Sequence, residues 1–284
     1  MIVDLHCHST ASDGDLSPQA LVDMAEAAGV SRFSITDHDT DIAFEQLERV
    51  PSGMTLMTGV ELSSQWSGVN IHVVGLGFDR SQPAWRQRLA DMEQRRIERA
   101  EIIAQRLEKA GLRHCLSGAQ ALAGDRPIGR PDFAKYLVDS GQVSSLKRAF
   151  DRYLGRGKVG DVKANWPQME EVCQWISEAG GVPVLAHPQH YGFTRSKLLR
   201  LLEAFRQAGG AAMEVYNHGL DPSKISSFRD YAKLNDLAAS LGSDFHSPKY
   251  WPKIGCDSRV LADCQPVWEL VSESDQAFVT GTQA

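Results

Sequence analysis

Near its N-terminus the chain reads Val3-Asp4-Leu5-His6-Cys7-His8. On an extended backbone, residues two apart face the same side, so both imidazoles project together while Cys7 points away, making a two-toothed clamp for a metal ion. Further donors sit in short polar motifs after apolar runs. Asp13 lies in the loop 9–14, His38 in Thr36-Asp37-His38-Asp39, Glu61 in Gly59-Val60-Glu61-Leu62-Ser63, and His72 in an apolar run. His187 follows in Ala186-His187-Pro188, and Asp244 and His246 in Gly242-Ser243-Asp244-Phe245-His246. Singly, each has an ordinary structural explanation: an Asx-turn for Asp13, a helix cap for Asp39, a satisfied core histidine for His72. Jointly, six of the nine histidines and three carboxylates fall at strand ends that would face one mouth of a β/α barrel, and this predicts a metal site.

Imidazole and carboxylate donors without thiolates suit Mn²⁺, Zn²⁺ or Fe²⁺ rather than a closed structural zinc. Nine donors exceed the need of one ion and suffice for two or three, with a carboxylate bridging neighbouring cations as in two-metal phosphoesterases. Three divalent ions against Asp13, Glu61 and Asp244 would leave the pocket positive and suited to an anionic substrate. The chain as a whole is acidic, with a formal charge of −6 and a pI near 5.9, which argues against binding a nucleic-acid duplex by charge.

The elements that must position these donors alternate between β-like and helix-like runs, as in an α/β fold with a largely parallel sheet. Seven strands are predicted, at 2–5, 33–36, 55–60, 70–76, 182–186, 211–216 and 238–242. Ser17-Pro18 caps a helix that stops at Gly29, and Asp39 starts another running to about Arg49. The alternation breaks between about 83 and 166. Trp85, Leu89, Met92, Ile103 and Leu107 mark a long amphipathic helix, and Gly/Pro-punctuated helical sequence follows. The reading is therefore a barrel from 1–99 and 166–284, with 100–165 as a small, mainly helical, substrate-capping insertion. Five cysteines without a CxxC pair suggest neither a thiolate site nor a disulfide framework, and no basic-then-apolar leader or apolar run of about 20 residues is seen. A cytoplasmic protein with no membrane span is expected.

The motifs His6-x-His8, Thr36-Asp37-His38-Asp39, Gly59-Val60-Glu61, Ala186-His187-Pro188 and Ser243-Asp244-Phe245-His246 together resemble the PHP (polymerase and histidinol phosphatase) family over 1–80 and about 180–250. The resemblance implies a distorted seven-stranded β/α barrel with a trinuclear, Mn²⁺-type metal centre. By position it implies one metal at His6, His8, Glu61 and Asp244, a second bridged by Glu61 and completed by His72 and His187, and a third at Asp13, His38 and His246. No ligand position is missing. Within the family, a chain of this size with a helical excursion resembles the nucleoside 3′,5′-bisphosphate phosphatases, which remove the 3′-phosphate and leave the 5′-monophosphate; relatives trim short RNA from its 5′ end. Two alternatives within the same chemistry are 5′-to-3′ hydrolysis of short RNA and histidinol-phosphate hydrolysis. A third, non-catalytic metal-binding regulatory module is argued against by the complete ligand set.

For substrate binding, Arg130 on the Gly/Pro-framed turn Pro127-Ile128-Gly129-Arg130-Pro131 is the first candidate for a phosphate. Arg99, in a basic stripe with Arg88, Arg95 and Arg106, is the second, and Lys135 the third; the alternative for each is a solvated side chain. His218, after the sixth strand, would reach the same rim and could protonate a leaving alkoxide, its alternative being a loop histidine. His190 is expected near the metals, Trp66 is a candidate to stack a base, and Ser9, Ser63 and Ser243 lack the surroundings of a nucleophile.

Overall fold

The computed structural model describes residues 1–162, 165–218, 220–249 and 252–272. The chain falls into two compact units, Met1–Arg88 with Pro167–Ala284, and Leu89–Trp166. In the first, strands β1 (Ile2–Asp4), β2 (Val30–Phe33), β3 (Thr55–Leu56) and β9 (Cys256–Asp257) form one sheet in the order β3-β2-β1-β9. Strands β4 (Gly59–Trp66), β5 (Val69–Leu76), β6 (Val182–Leu185), β7 (Ala212–Asn217) and β8 (Ala238–Gly242) form the other in sequence order. Helices α1 (Pro18–Ala27), α6 (Met169–Glu178), α7 (Arg195–Gln207) and α8 (Pro222–Leu234) complete this unit. Its core includes Leu21, Val22, Phe33, Ile35, Phe44 and Phe245.

Where a distorted seven-stranded barrel is expected, the hydrogen-bonded ladders form sheets of four and five strands, and among the described residues neither closes on itself. Two isolated parallel bridges instead link the sheets, His38 to Glu61 and Cys7 to Phe245. The reason lies in the short strands of the first sheet. β1 and β2 stop after three and four residues, and beyond them single backbone bonds such as Leu5 N–H to Leu241 O (3.2 Å) and Thr36 N–H to Cys7 O (2.9 Å) carry the chain on to His6, His8 and His38. At Gly59 a Cβ would collide with the Ser34 side chain, and at Gly242 with Cβ of His6, so the two glycines let these segments approach.

Three further expectations are corrected. The second strand lies at Val30–Phe33 rather than 33–36, because Ser31 and Arg32 mask it from a reading based on apolar runs. The run 55–60 is not one strand; it breaks at Met57-Thr58 into β3 and the start of β4. β4 then pairs with β5 along its whole length through a turn in which Ser67 and Gly68 both have positive φ (48° and 71°), the twist that a tight hairpin requires. The helix from Asp39 shrinks to one 3₁₀ turn, Ile42–Glu45. Asp39 is not its cap, since its φ is 57° and its carboxylate accepts from the Ser63 backbone N–H (2.6 Å) and hydroxyl (2.8 Å). At α1 the Ser17 hydroxyl accepts from Ala20 N–H with Pro18 at the first helical position, as anticipated.

The second unit is helical, with most of α2 (Pro83–Lys109), α3 (Cys115–Ala123), α4 (Arg130–Asp139) and α5 (Leu146–Ala149). Ile103, Leu107, Phe133, Leu137 and Leu154 are buried in a core of its own. Each such side chain contributes about 1.5–3 kcal/mol by leaving water.

Candidate metal centre

His6 and His8 follow β1, His38 follows β2, His187 follows β6, and Asp244 and His246 follow β8, while Glu61 and His72 face each other within the β4–β5 hairpin region. The loops are tied across: His8 N–H donates to Phe245 O (2.8 Å) and Asp244 N–H to His6 O (2.8 Å). His187 (φ 27°) and Asp244 (φ 55°) have left-handed backbones, which cost a non-glycine residue about 1–3 kcal/mol and persist where the surroundings hold them.

All nine candidate donors come together. Fully buried Glu61 divides its oxygens between two sets of rings. Oε2 lies 3.3 Å from Nε2 of both His6 and His8 and 2.9 Å from His38 Nδ1, whereas Oε1 lies 2.7 Å from His72 Nδ1 and 2.7 Å from His187 Nε2. Asp244 Oδ1 is 3.3 Å from His8 Nε2 and 3.6 Å from His6 Nε2. Asp13 approaches His246 Nε2 (3.4 Å), His8 Nδ1 (3.9 Å) and His38 Nε2 (3.9 Å). Three overlapping donor groups result: His6, His8 and Glu61; His38, Glu61 and His72; and His8, Asp13, His38 and His246. Compared with the sets implied by resemblance, His38 also faces Glu61 and His8 also faces Asp13.

The donor set fits divalent cations. Among the described residues, buried His8 Nδ1 and His187 Nδ1 have no hydrogen-bond partner, an arrangement that is costly unless another group completes it. Burial opposes charge on the rings of His6, His8, His72, His187 and His246, yet the carboxylates of Glu214, Glu61 and Asp244 hold His6 well above the ordinary imidazole range. Burial, together with the neighbouring His246 and His38, pushes His8 down to about 3. His246 rises to about 10 because Asp13 outweighs its burial. Burial alone would raise Glu61, but His38, His72 and His6 hold it well below the carboxylate range. Charged carboxylates sharing protons with crowded rings are the state in which cations replace protons.

Several polar groups behind the donors went unnoticed in the sequence. Glu214 of β7 lies 2.6 Å from His6 Nδ1 and accepts from the His187 backbone N–H (2.6 Å). Asp4 accepts from the backbone N–H groups of Ser243 (2.8 Å) and Gly255 (2.7 Å), and Asp37 from Ser9 N–H (2.8 Å) and hydroxyl (2.6 Å). The Tyr191 hydroxyl donates to Ala186 O (2.8 Å) and accepts from His72 N–H (3.0 Å). The available signal was a lone carboxylate inside a buried apolar run, as in Ala212-Met213-Glu214-Val215.

A 5′-3′ exoribonuclease of Haemophilus influenzae is 41% identical to this chain over 268 residues, covering 94% of this chain and 97% of the relative. A 3′,5′-nucleoside bisphosphate phosphatase of Chromobacterium violaceum is 37% identical over 273 residues, covering 94% and 95%. The chain belongs to the PHP family of metal-dependent phosphoesterases. A solved structure of a C. violaceum protein described as an amidohydrolase, with bound sulfate and no metal, matches this PHP chain with a TM-score of 0.86 at 36% identity, over 94% of this chain and 95% of the other. No protein-family model matches the chain.

The other candidates of this PHP protein are placed as follows. Half-buried Arg130 opens α4 and donates to Leu154 O (3.3 Å); burial lowers its pKa from the usual guanidinium value. Arg99 donates to Val162 O (3.4 Å) and lines an open depression with Asp91, Arg95 and Glu98. Lys135 is exposed and paired with Asp139 (2.7 Å) along α4. His218 follows β7 with Nε2 3.3 Å from Gly255 O and its ring against Tyr216. The His190 ring stacks on His187 with centroids 5.2 Å apart. Trp66 packs beside Phe193 (6.1 Å), over whose ring Lys197 Nζ lies at 4.2 Å.

Proposed function

We propose that the chain is a phosphoric monoester hydrolase that removes the 3′-phosphate of nucleoside 3′,5′-bisphosphates, giving the nucleoside 5′-monophosphate and phosphate. The observation carrying this reading is the division of Glu61 between two sets of imidazoles, in a chain 37% identical over nearly its whole length to a phosphatase of that specificity. Two to three divalent ions, with Mn²⁺ first and Zn²⁺ or Fe²⁺ as alternatives, would be held by His6, His8, Asp13, His38, Glu61, His72, His187, Asp244 and His246. When bound, such ions acidify a water for attack on phosphorus and offset charge on the non-bridging oxygens. The two linked sheets would serve as the wall of the distorted barrel that the resemblance implies. The chain's own groups orient these donors, and His218 is the assigned proton donor to the departing 3′-oxygen. Among the described residues no helix is long and apolar enough to cross a membrane, and all five cysteines are free and buried, which supports a reducing cytoplasm.

Arg130 is assigned to the non-reacting 5′-phosphate, where binding energy remote from the reacting bond helps to position it. Arg130→Ala is expected to lower kcat/KM for adenosine 3′,5′-bisphosphate about 30–100-fold, roughly 2–3 kcal/mol, and to change that for adenosine 3′-monophosphate little. Steady-state kinetics on both substrates checks this. Equal losses would move Arg130 to the reacting phosphate or the fold, and no loss would leave it as a side chain that only bonds Leu154 O at the start of α4. Arg99 and Lys135 rank behind it, Lys135 because its ammonium is already held in a solvated pair.

The second reading, 5′-to-3′ hydrolysis of short RNA, is favoured by the Trp66–Phe193 pair with Lys197 beside it, a combination of aromatic face and cation that suits stacked bases and backbone phosphate. Comparison of kcat/KM for adenosine 3′,5′-bisphosphate, a 5′-phosphorylated trinucleotide and histidinol phosphate decides the order. The phosphatase reading expects the bisphosphate to lead by at least about tenfold, and a leading trinucleotide would replace it with the exoribonuclease.

A further inference from the structure

The run Ala212–Val215 of strand β7 is buried, and its one charge is Glu214, which is 2% exposed. Its two oxygens have different partners, each at 2.6 Å: Oε1 meets His6 Nδ1, and Oε2 accepts from the backbone N–H of His187. His6 Nε2 points the other way, to within 3.2 Å of His8 Nε2 and 3.3 Å of Glu61 Oε2, while His187 Nε2 reaches the opposite oxygen of Glu61. One carboxylate thus stands behind a donor from each side of Glu61.

The chemistry of that position is selective. A ring that binds a cation through Nε2 carries its proton on Nδ1, and the His187 amide also donates, so Glu214 must accept twice. A carboxylate does so. A glutamine has one acceptor and one donor, and in either orientation its NH₂ would face an N–H. If that clash fell at His6, the ring would relieve it by accepting at Nδ1 and protonating Nε2, the nitrogen that a cation needs. If it fell at His187, the amide whose residue holds a φ of 27° would lose its partner, and with it the bond that restrains a strained backbone.

We infer that Glu214 is a positioning residue that couples the two sides of the metal centre, fixing the tautomer of His6 and the backbone of His187 together. This rests on the metal reading above. Carboxylates behind metal-binding histidines typically change metal affinity 10–100-fold, and here the effect falls on two sets at once.

The test uses the full chain loaded with Zn²⁺, which is silent in NMR. In the wild type, ¹⁵N spectra of the histidine rings are expected to show the His6 proton on Nδ1 and zinc at Nε2. In Glu214→Gln, zinc titration is expected to show about 10–100-fold weaker uptake at two sites together, with the His6 signature lost. A purely structural carboxylate would lower the melting temperature without moving that signature. Wild-type affinities in Glu214→Gln, or weakening at one site alone, would overturn the coupling. A proton on Nε2 of His6 in the zinc-loaded wild type would overturn it even if the variant failed to fold. A wild type that takes up no zinc would overturn the metal reading and this inference with it, whereas uptake with an indifferent variant overturns the inference alone.

Discussion

Glu61→Gln should lower kcat by on the order of 10³-fold or more, equivalent to about 4 kcal/mol of transition-state stabilisation, and should release two ions per chain rather than one. The substitution keeps the side chain's shape in a fully buried site while removing its charge and turning one acceptor into a donor. Oε1 lies between His72 and His187 and Oε2 between His6, His8 and His38; a neutral amide would offer a donor to one of these sets. Replacing Asp13 should have a smaller effect, because its contacts lie at 3.4–3.9 Å on one edge of the cluster. Metal analysis by mass spectrometry alongside steady-state kinetics checks both halves. Wild-type metal content and rate in Glu61→Gln would remove the bridging role.

Stripping the metals should have a comparable effect on activity and a separate effect on stability. Chelation is expected to bring turnover below detection, and added Mn²⁺ to restore it. A ligand that binds only the folded chain at 100 times its Kd adds about 2.7 kcal/mol, which for a chain of this size raises Tm by roughly 4–5 °C per filled site. Scanning calorimetry with and without metal reads this directly. Verified metal-free protein that turns over at the full rate would exclude the mechanism.

Much of this centre is legible in the sequence because its information is local. His6-x-His8, Asp244-x-His246 and Ala186-His187-Pro188 each combine a donor with the end of an apolar run, and such ends meet in an α/β fold. Other features depend on partners distant in sequence. Asp39 has the residue type of a helix cap, but Ser63, twenty-four positions away, takes its carboxylate and leaves only a short 3₁₀ turn downstream. Ser31 and Arg32 obscure β2, whose placement comes from pairing with β1 and β3. The division into two sheets is not readable from periodicity, since it depends on where β1 and β2 stop and on the bridges His38–Glu61 and Cys7–Phe245 that link them. Glu214 escaped notice because a single carboxylate in a strand carries no spacing pattern, and its role emerges only when His6 and His187 are seen on its two oxygens.

Water activated at this cluster is expected to cleave the 3′-phosphate while the 5′-phosphate is retained. Phosphorus NMR of the products formed from adenosine 3′,5′-bisphosphate in ¹⁸O-labelled water, with Mn²⁺-loaded protein quenched by chelator, tests it most directly. Adenosine 5′-monophosphate and inorganic phosphate carrying one ¹⁸O are the expected products. Adenosine 3′-monophosphate as product, or inorganic phosphate without the label, would contradict it.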